Sequence, residues 1–399
     1  MLLFILNEEF LSKRLSARTE QGLLRKLSSE NNRIDFSSND YLGFARSLEL
    51  KELLAAELEI LNLKQVTGSG SGGSRLLTGN SKYAEELEKF IADFHRAEAG
   101  LIFNSGYTAN TGLLSSVAQK ADMILYDELS HASVYDGVRL SKADSFPFRH
   151  NDASHLEDRL KFLRSANPSQ QEIFVVVESV YSMDGDFAPL IEIASLCEDY
   201  KAKLIVDEAH ATGIFGERGE GKVVEIGLEK QVFARVHTFG KALGCHGAIV
   251  LGSEELRNYL INFSRPFIYT TALPPAVFAA IKATYNLLNS SNNNILIIRK
   301  LISLFKFKIE EFKISGFLKS ASPIQSLLIP GNDKVKETAS LIQKDGFDVR
   351  PILSPTVPKG KERIRVCLHA FNTEEEISAL LSSVKKQVSA LPEIVLASS

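Results

Sequence analysis

From about residue 99 the apolar positions fall into short runs separated by amphipathic stretches. GLIFNSG, MILYDE, EIFVVVESV and KLIVDEAH are β-branched runs of strand length. Stretches of helical spacing, such as PLIEIASLCEDY, lie between them. Near-continuous apolar strands alternating with helices predict an α/β fold, with a mainly parallel central sheet covered by helices. Upstream, Leu11, Leu15 and the Leu23/Leu24 pair mark one face of a helix expected over 9–29. RIDFSS reads as a short strand, NDYLGF as a turn and 48–64 as a second amphipathic helix. Residues 67–80, TGSGSGGSRLLTGN, form a Gly/Ser loop without the GK[ST] ending of a P-loop. Ser81 then caps a helix to about 95, with Tyr83, Leu87, Phe90, Ile91 and Phe94 as its stripe.

Downstream, VHTFGKAL and AIVLGS read as short strands, and a turn-rich loop at 262–276 precedes a helix starting near Pro275. The polar run NSSNNN at 289–294 marks a boundary. Beyond it, helices at ILIIRKLISLFKFKIEEF, KVKETASLIQKDG and TEEEISALLSSVKKQ accompany strands at IQSLLIP and RIRVCLHAF. The expected division is an arm and helix over 1–47, a large domain over 48–288 and a smaller α+β C-terminal domain over 289–399.

Composition narrows the class. The 399 residues are 44% hydrophobic and 24% charged, with a formal net charge of -3. These are ordinary values for a globular protein with a large core, and no basic field invites nucleic acid. Cys197, Cys245 and Cys367 are scattered and form no metal signature, so reduced thiols and no metal are expected. The apolar start MLLFIL runs straight into Glu8 and Glu9 without a basic leader, a poor signal peptide. No run approaches the roughly 18 apolar residues of a membrane span. The expectation is a cytoplasmic enzyme.

Parallel sheets bind ligands beyond the carboxyl ends of their strands. Ser105-Gly106, Asp127 to His131, Glu178 to Ser182 and Asp207 to His210 fall at such ends. The stretch 236–250, VHTFGKALGCHGAIV, adds Lys241 among small neighbours. A lysine whose amine can lose its proton holds an aldehyde cofactor as a Schiff base. Asp207 would balance a protonated ring nitrogen, which pyridoxal phosphate needs as its electron sink. His210 would reach the phenolic oxygen and His131 would stack on the ring. Ser105, Gly106 and Tyr107 stand where a strand enters a helix, and free N–H groups there favour phosphate. Each feature alone has an ordinary structural explanation: a solvated loop lysine, an aspartate capping a turn, a histidine at a helix entry. No G-x-G-x-x-G joins a first strand to a helix, so a dinucleotide site is not expected.

NSGYTAN, DELSHASVYDG, ESVYSMDGDFAPL, DEAHATGIFG, HTFGKALG, IYTTALPP and SPTVPKGKERIR occur in one order. Over roughly 35–375 the chain thereby resembles the α-oxoamine synthases, pyridoxal 5'-phosphate enzymes of the aspartate-aminotransferase fold (fold type I). It is most similar to the members that condense L-alanine with a pimeloyl thioester, carried on coenzyme A or an acyl carrier protein, in biotin synthesis. The resemblance implies that Lys241 is the Schiff-base lysine and proton carrier, Asp207 the ring-nitrogen partner and His131 the stacking histidine. It implies that His210 and Ser182 lie near the phenolic oxygen, and that Gly106, Tyr107 and Thr238 cradle the phosphate. Thr270 and Thr271 would reach the phosphate of a neighbouring subunit, making a homodimer with shared sites. Asn39 and Arg365 would hold the amino-acid carboxylate, Ser74 would leave room for the methyl of alanine, Arg25 would meet the distal carboxylate of the acyl chain, and Thr356 would be a further substrate-binding residue. Leu353 and Ser354 depart from the arginine often found before the Pro-Thr-Val-Pro run, with Arg350 standing further upstream. A serine palmitoyltransferase-like or 2-amino-3-ketobutyrate coenzyme A ligase-like member would share the cofactor set and differ in the amino acid or acyl donor. A non-catalytic binding protein on this fold would be expected to lack Lys241 or Asp207.

Overall fold

A computed structural model describes residues 8–27, 32–63, 68–166 and 171–389. The apolar start at 1–7 and Thr67 of the Gly/Ser loop lie outside the described residues. The strands are β1 (Ile34–Asp35), β2 (Ala99–Phe103), β3 (Met123–Asp127), β4 (Asp144–Phe148), β5 (Ile173–Glu178) and β6 (Lys203–Asp207). They continue with β7 (Ala234–Thr238), β8 (Ala248–Gly252), β9 (Ile324–Leu328), β10 (Phe347–Asp348), β11 (Arg350–Ile352) and β12 (Arg363–Cys367). Seven form the central sheet in the order β2-β8-β7-β6-β5-β3-β4. Only β8 opposes its neighbours; β7, β6, β5, β3 and β4 pair in parallel.

The apolar runs are continuous because both faces of this sheet are covered. On β5, Phe174 and Val176 pack with Leu113, Leu114 and Val134 of helices Gly106–Val117 and Ala132–Leu140. Val175 and Val177 face the other way, against Leu156, Leu160 and Ile193 of helices Ala153–Ala166 and Leu190–Asp199. The alternation of one strand between two cores follows from the period of two. Because β3, β5, β6 and β7 are parallel, their carboxyl ends meet along one edge.

Several expectations need correction. The first helix covers only Glu9–Glu20, buries none of its residues and stops before Gly22, whose φ is 64°. Leu23 and Leu24 therefore lie beyond it rather than on its face. The strand β4 and helix Ala153–Ala166 have no counterpart in the sequence reading. Of β4, only Phe148 is buried, so an edge strand left this open carries no apolar run. The polar run at 289–294 breaks a helix pair at Ser291 and Asn292 alone, between Pro275–Ser290 and Asn293–Phe312.

The chain before residue 48 is stitched into the C-terminal part. β1 pairs in parallel with β10, and Phe36 accepts a hydrogen bond from the Cys367 amide at 2.8 Å. β12 sits between β11 and β9 in an antiparallel sheet. This stitching sets Asn39 beside Arg365. The Gly/Ser loop is pinned as well. Arg75 makes a two-pronged ion pair with Glu88 at 2.8 and 3.1 Å and also donates to Asn80 at 2.6 Å. Among the described residues no helix is long and apolar enough to cross a membrane.

Candidate active site

Glu178 and Asp207 end β5 and β6 and are direct partners across the two strands. Both are buried, and each finds its own donors. Asp207 accepts from the Asn110 amide at 2.6 Å and from the Ala209 N–H at 2.8 Å. Glu178 accepts from the His131 N–H at 2.5 Å. Burial, then the charge of Asp207, pushes the Glu178 carboxyl up to about 8. Glu178 therefore keeps its proton at neutral pH beside Asp207.

These carboxyls open into a cavity of ≈ 270 Å³. Lys241 enters it from the loop after β7, half-buried. Loss of water lowers the pKa of its amine and Arg365 lowers it further, while Asp207 and Glu178 oppose the change. The net effect enlarges the neutral, nucleophilic fraction. His131, Asp207 and His210 line the same cavity. His131 opens onto it; desolvation and Lys241 lower the pKa of its ring, and Asp207 works against them. His210 is buried and held well below its ordinary value by desolvation, Lys241 and Arg365. Its Nδ1 lies 2.8 Å from the Tyr41 hydroxyl.

Ser105, Gly106, Tyr107 and Thr238 form another part of the wall. Ser105 caps helix Gly106–Val117 reciprocally with Thr108, and the helix begins at the cavity wall. A Cβ on Gly106 would lie 2.5 Å from Cγ2 of Thr238, so only glycine lets helix and strand approach this closely. Tyr107 is bonded through its hydroxyl to Asp136.

Asn39 also lines the cavity. Arg365 stands one bond behind it, donating to Asn39 at 2.8 Å and to the Tyr41 hydroxyl at 3.3 Å. Its Nε is buried without a hydrogen-bond partner. The other expected residues lie elsewhere. Ser182 is half-buried in the turn after β5, outside the lining. Ser74 bridges to Thr271, and the Thr271 carbonyl accepts from Asn104 at 3.0 Å; Thr270 precedes it, half-buried. Arg25 is exposed and lines neither this cavity nor the next. Thr356 belongs to a second cavity of ≈ 340 Å³, with Ser130, Tyr181 and Arg363. Arg350 folds back onto Asp348 at 3.1 Å.

The sequence reading gave no role to Glu178, Asn110, Ser133 or His246, all in the cavity wall. Glu178 carried a usable signal, since EIFVVVE ends in an acid just as KLIVD does. A separate group, His150 with Asp184 and Asp186, has ligand-type atoms within 4.8 Å of one another. Its charge is already balanced. Burial would lower the pKa of His150, but hydrogen bonds to Asp127 and Asp186 raise it to about 9, and Asp184 faces Arg363.

The profile of the family described as aminotransferase class I and II matches residues 31–384. The chain belongs to the class I and II aminotransferase family. Within that family it is 45% identical over 395 residues to an 8-amino-7-oxononanoate synthase of Emericella nidulans, covering 94% of each chain. It is 37% identical to one from Lysinibacillus sphaericus, covering 96% of this chain and 98% of the other. Among solved structures, a serine palmitoyltransferase from S. paucimobilis with bound PLP superposes with a TM-score of 0.85 at 26% identity, over 97% and 99% of the chains. An 8-amino-7-oxononanoate synthase from Francisella tularensis gives 0.75 at 27%, over 90% and 99%. In this aminotransferase family member the sheet therefore has the fold type I arrangement that the resemblance implied.

Proposed function

We propose that this chain is a pyridoxal-phosphate enzyme that condenses L-alanine with a pimeloyl thioester to 8-amino-7-oxononanoate, releasing carbon dioxide and the carrier thiol. The observation that carries the reading is the meeting of Lys241 and Asp207 in one cavity, in a chain 45% identical to an 8-amino-7-oxononanoate synthase. The donor set fits the cofactor. It offers a lysine amine with a lowered pKa, a buried carboxylate two hydrogen bonds deep, and a helix start that only glycine allows against Thr238.

Pyridoxal phosphate supplies an aldehyde that takes up the amino acid and a cationic ring that stabilises negative charge on its α-carbon. Lys241 would hold that aldehyde. Asp207, accepting from Asn110 and the Ala209 amide, would hold the proton on the ring nitrogen. His131 would cover one face of the ring, and His210 and Ser182 would serve its phenolic oxygen. The N–H groups of Gly106 and Tyr107, with Ser105 and Thr238, would take the phosphate. Arg365 and Asn39 suit the alanine carboxylate, since a guanidinium with a free Nε pairs with a planar anion. Lys241 would be the base that takes the α-proton of alanine and the acid that returns one to the product. Arg25 is read as the contact of the acyl chain's distal carboxylate, Thr356 as a further substrate-binding residue, Ser74 as the small residue beside the alanine methyl, and the enzyme as cytoplasmic.

The site is also read as shared in a homodimer. Thr270 and Thr271, tied to the Gly/Ser loop through Ser74, sit among exposed Leu76, Leu77 and Tyr269, a surface suited to a second copy.

Visible absorption of the purified protein tests the reading. A yellow protein whose band responds to L-alanine in preference to glycine or L-serine, and changes again with pimeloyl-coenzyme A, is expected. A response chiefly to glycine or serine would move the assignment to a sister condensation. A colourless protein that does not take up pyridoxal phosphate would overturn it.

A further inference from the structure

Behind the His131 ring runs a hydrogen-bond chain to which no role has yet been given. Asn110 and Ser133 are buried on helices Gly106–Val117 and Ala132–Leu140. Asp207 Oδ2 can only accept, so the Asn110 atom 2.6 Å from it must be the amide nitrogen. That same nitrogen donates its second hydrogen to Ser133 Oγ at 3.0 Å. Ser133 Oγ still holds its own hydrogen and gives it to Nδ1 of His131 at 2.7 Å, because the Ser133 backbone N–H makes Nδ1 an acceptor. The Ser133 backbone N–H also points at Nδ1, at 3.2 Å. A ring nitrogen facing two donors carries no hydrogen of its own, so the proton of the neutral ring sits on Nε2. Nε2 has no hydrogen-bond partner among the described residues, and the ring lines the cavity.

We propose that Asn110 and Ser133 are positioning residues that fix His131 as its Nε2–H tautomer and tie that choice to the carboxylate of Asp207. The same chain keeps the ring neutral, because a proton on Nδ1 would confront the fixed backbone N–H of Ser133 and forfeit the hydroxyl's donation. The groups facing the ring do not replace this control. Asp207 and Glu178 come from strand ends, Lys241 and His210 from loops, and Tyr107 meets the ring edge-on at 6.2 Å between centroids. None of these is hydrogen-bonded to a ring nitrogen of His131 in the described structure. The role assigned to His131 rests on the reading of the cavity as a pyridoxal-phosphate site; the hydrogen-bond chain does not.

Nitrogen-15 NMR of the cofactor-loaded protein, labelled at histidine, tests this, with His131→Asn identifying the signals. The wild type is expected to show one tautomer, protonated at Nε2 and bare at Nδ1. Ser133→Ala should mix the tautomers and raise the ring's titration midpoint by about one pH unit, the effect of losing one neutral hydrogen bond. Asn110→Leu should shift the signals in the same direction by freeing the Ser133 hydroxyl. A variant that fails to load cofactor is compared with cofactor-free wild type. A wild-type ring protonated at Nδ1 or cationic, or signals unmoved in both variants, would overturn the proposal. A wild type with no cofactor band would instead overturn the functional reading, and the ring signals would still decide this one.

Discussion

At the residue scale, two neighbouring strand-end acids stand in different hydrogen-bond surroundings. Asp207 is surrounded by donors to its charge, whereas Glu178 is left with one backbone N–H and the field of Asp207. Asp207→Ala is expected to lower kcat by on the order of 10²–10³, the cost of removing one preorganised electrostatic partner, with the far-ultraviolet spectrum unchanged. Glu178 adds a pH term. Its folded pKa is raised to about 8 from 4.5, so the folded state holds the proton more tightly than the unfolded chain. That contribution is full below the unfolded value and is lost as pH rises toward 8. Urea unfolding of cofactor-free wild type and Glu178→Gln should therefore diverge between pH 5 and 8, the wild type losing relative stability; parallel curves would contradict the assignment. Lys241, Asp207, His131 and His210 were legible in the sequence because each ends or follows an apolar strand within a motif. Asn110 and Ser133 stood in the same motifs, yet polar residues in the first turns of helices read as ordinary helix starts. Thr356 lines no part of this cavity, since a family motif gives order along the chain and not the wall a side chain reaches, and neither does Arg25, which stands before the first motif.

At the element scale, the cavity depends on a helix packed tightly on a strand and on a loop that is not free. Gly106→Ala would drive a methyl into Thr238, an overpacking worth about 1–3 kcal/mol, and cofactor binding should weaken about tenfold or more. Adding Thr238→Ser removes the colliding Cγ2 and should restore part of the affinity while keeping the Thr238 hydroxyl's place; no recovery would mean that the glycine serves another purpose. The Gly/Ser loop, which its composition presents as flexible, is held by the buried Arg75–Glu88 pair. Arg75→Leu leaves Glu88 with only the Ile102 amide and the more distant Arg257, and should lower stability by about 3 kcal/mol in chemical denaturation. Strands such as β5 and β6 were legible because burial on both faces makes their sequence uniformly apolar. β4, β10 and β11 were not, because edge strands and strands of two or three residues leave too short or too polar a pattern.

At the scale of the whole molecule, the segment before residue 48 pairs with β10 in a two-stranded sheet of its own, and Asn39 and Arg365, far apart in sequence, meet. No periodicity could reveal that pairing, which joins residues more than three hundred positions apart. The outward surface bears the dimer proposal. Leu77→Glu, on an exposed loop side chain, should shift sedimentation toward monomer and lower cofactor occupancy together; a variant that stays dimeric would place the interface elsewhere. The central claim is that Lys241 holds pyridoxal phosphate, and borohydride reduction followed by peptide mass analysis tests it most directly. The account predicts a reduced cofactor adduct on the peptide carrying Lys241 and none on the Lys241→Ala protein. An adduct on a different lysine, or no adduct in a protein saturated with the cofactor, would contradict it.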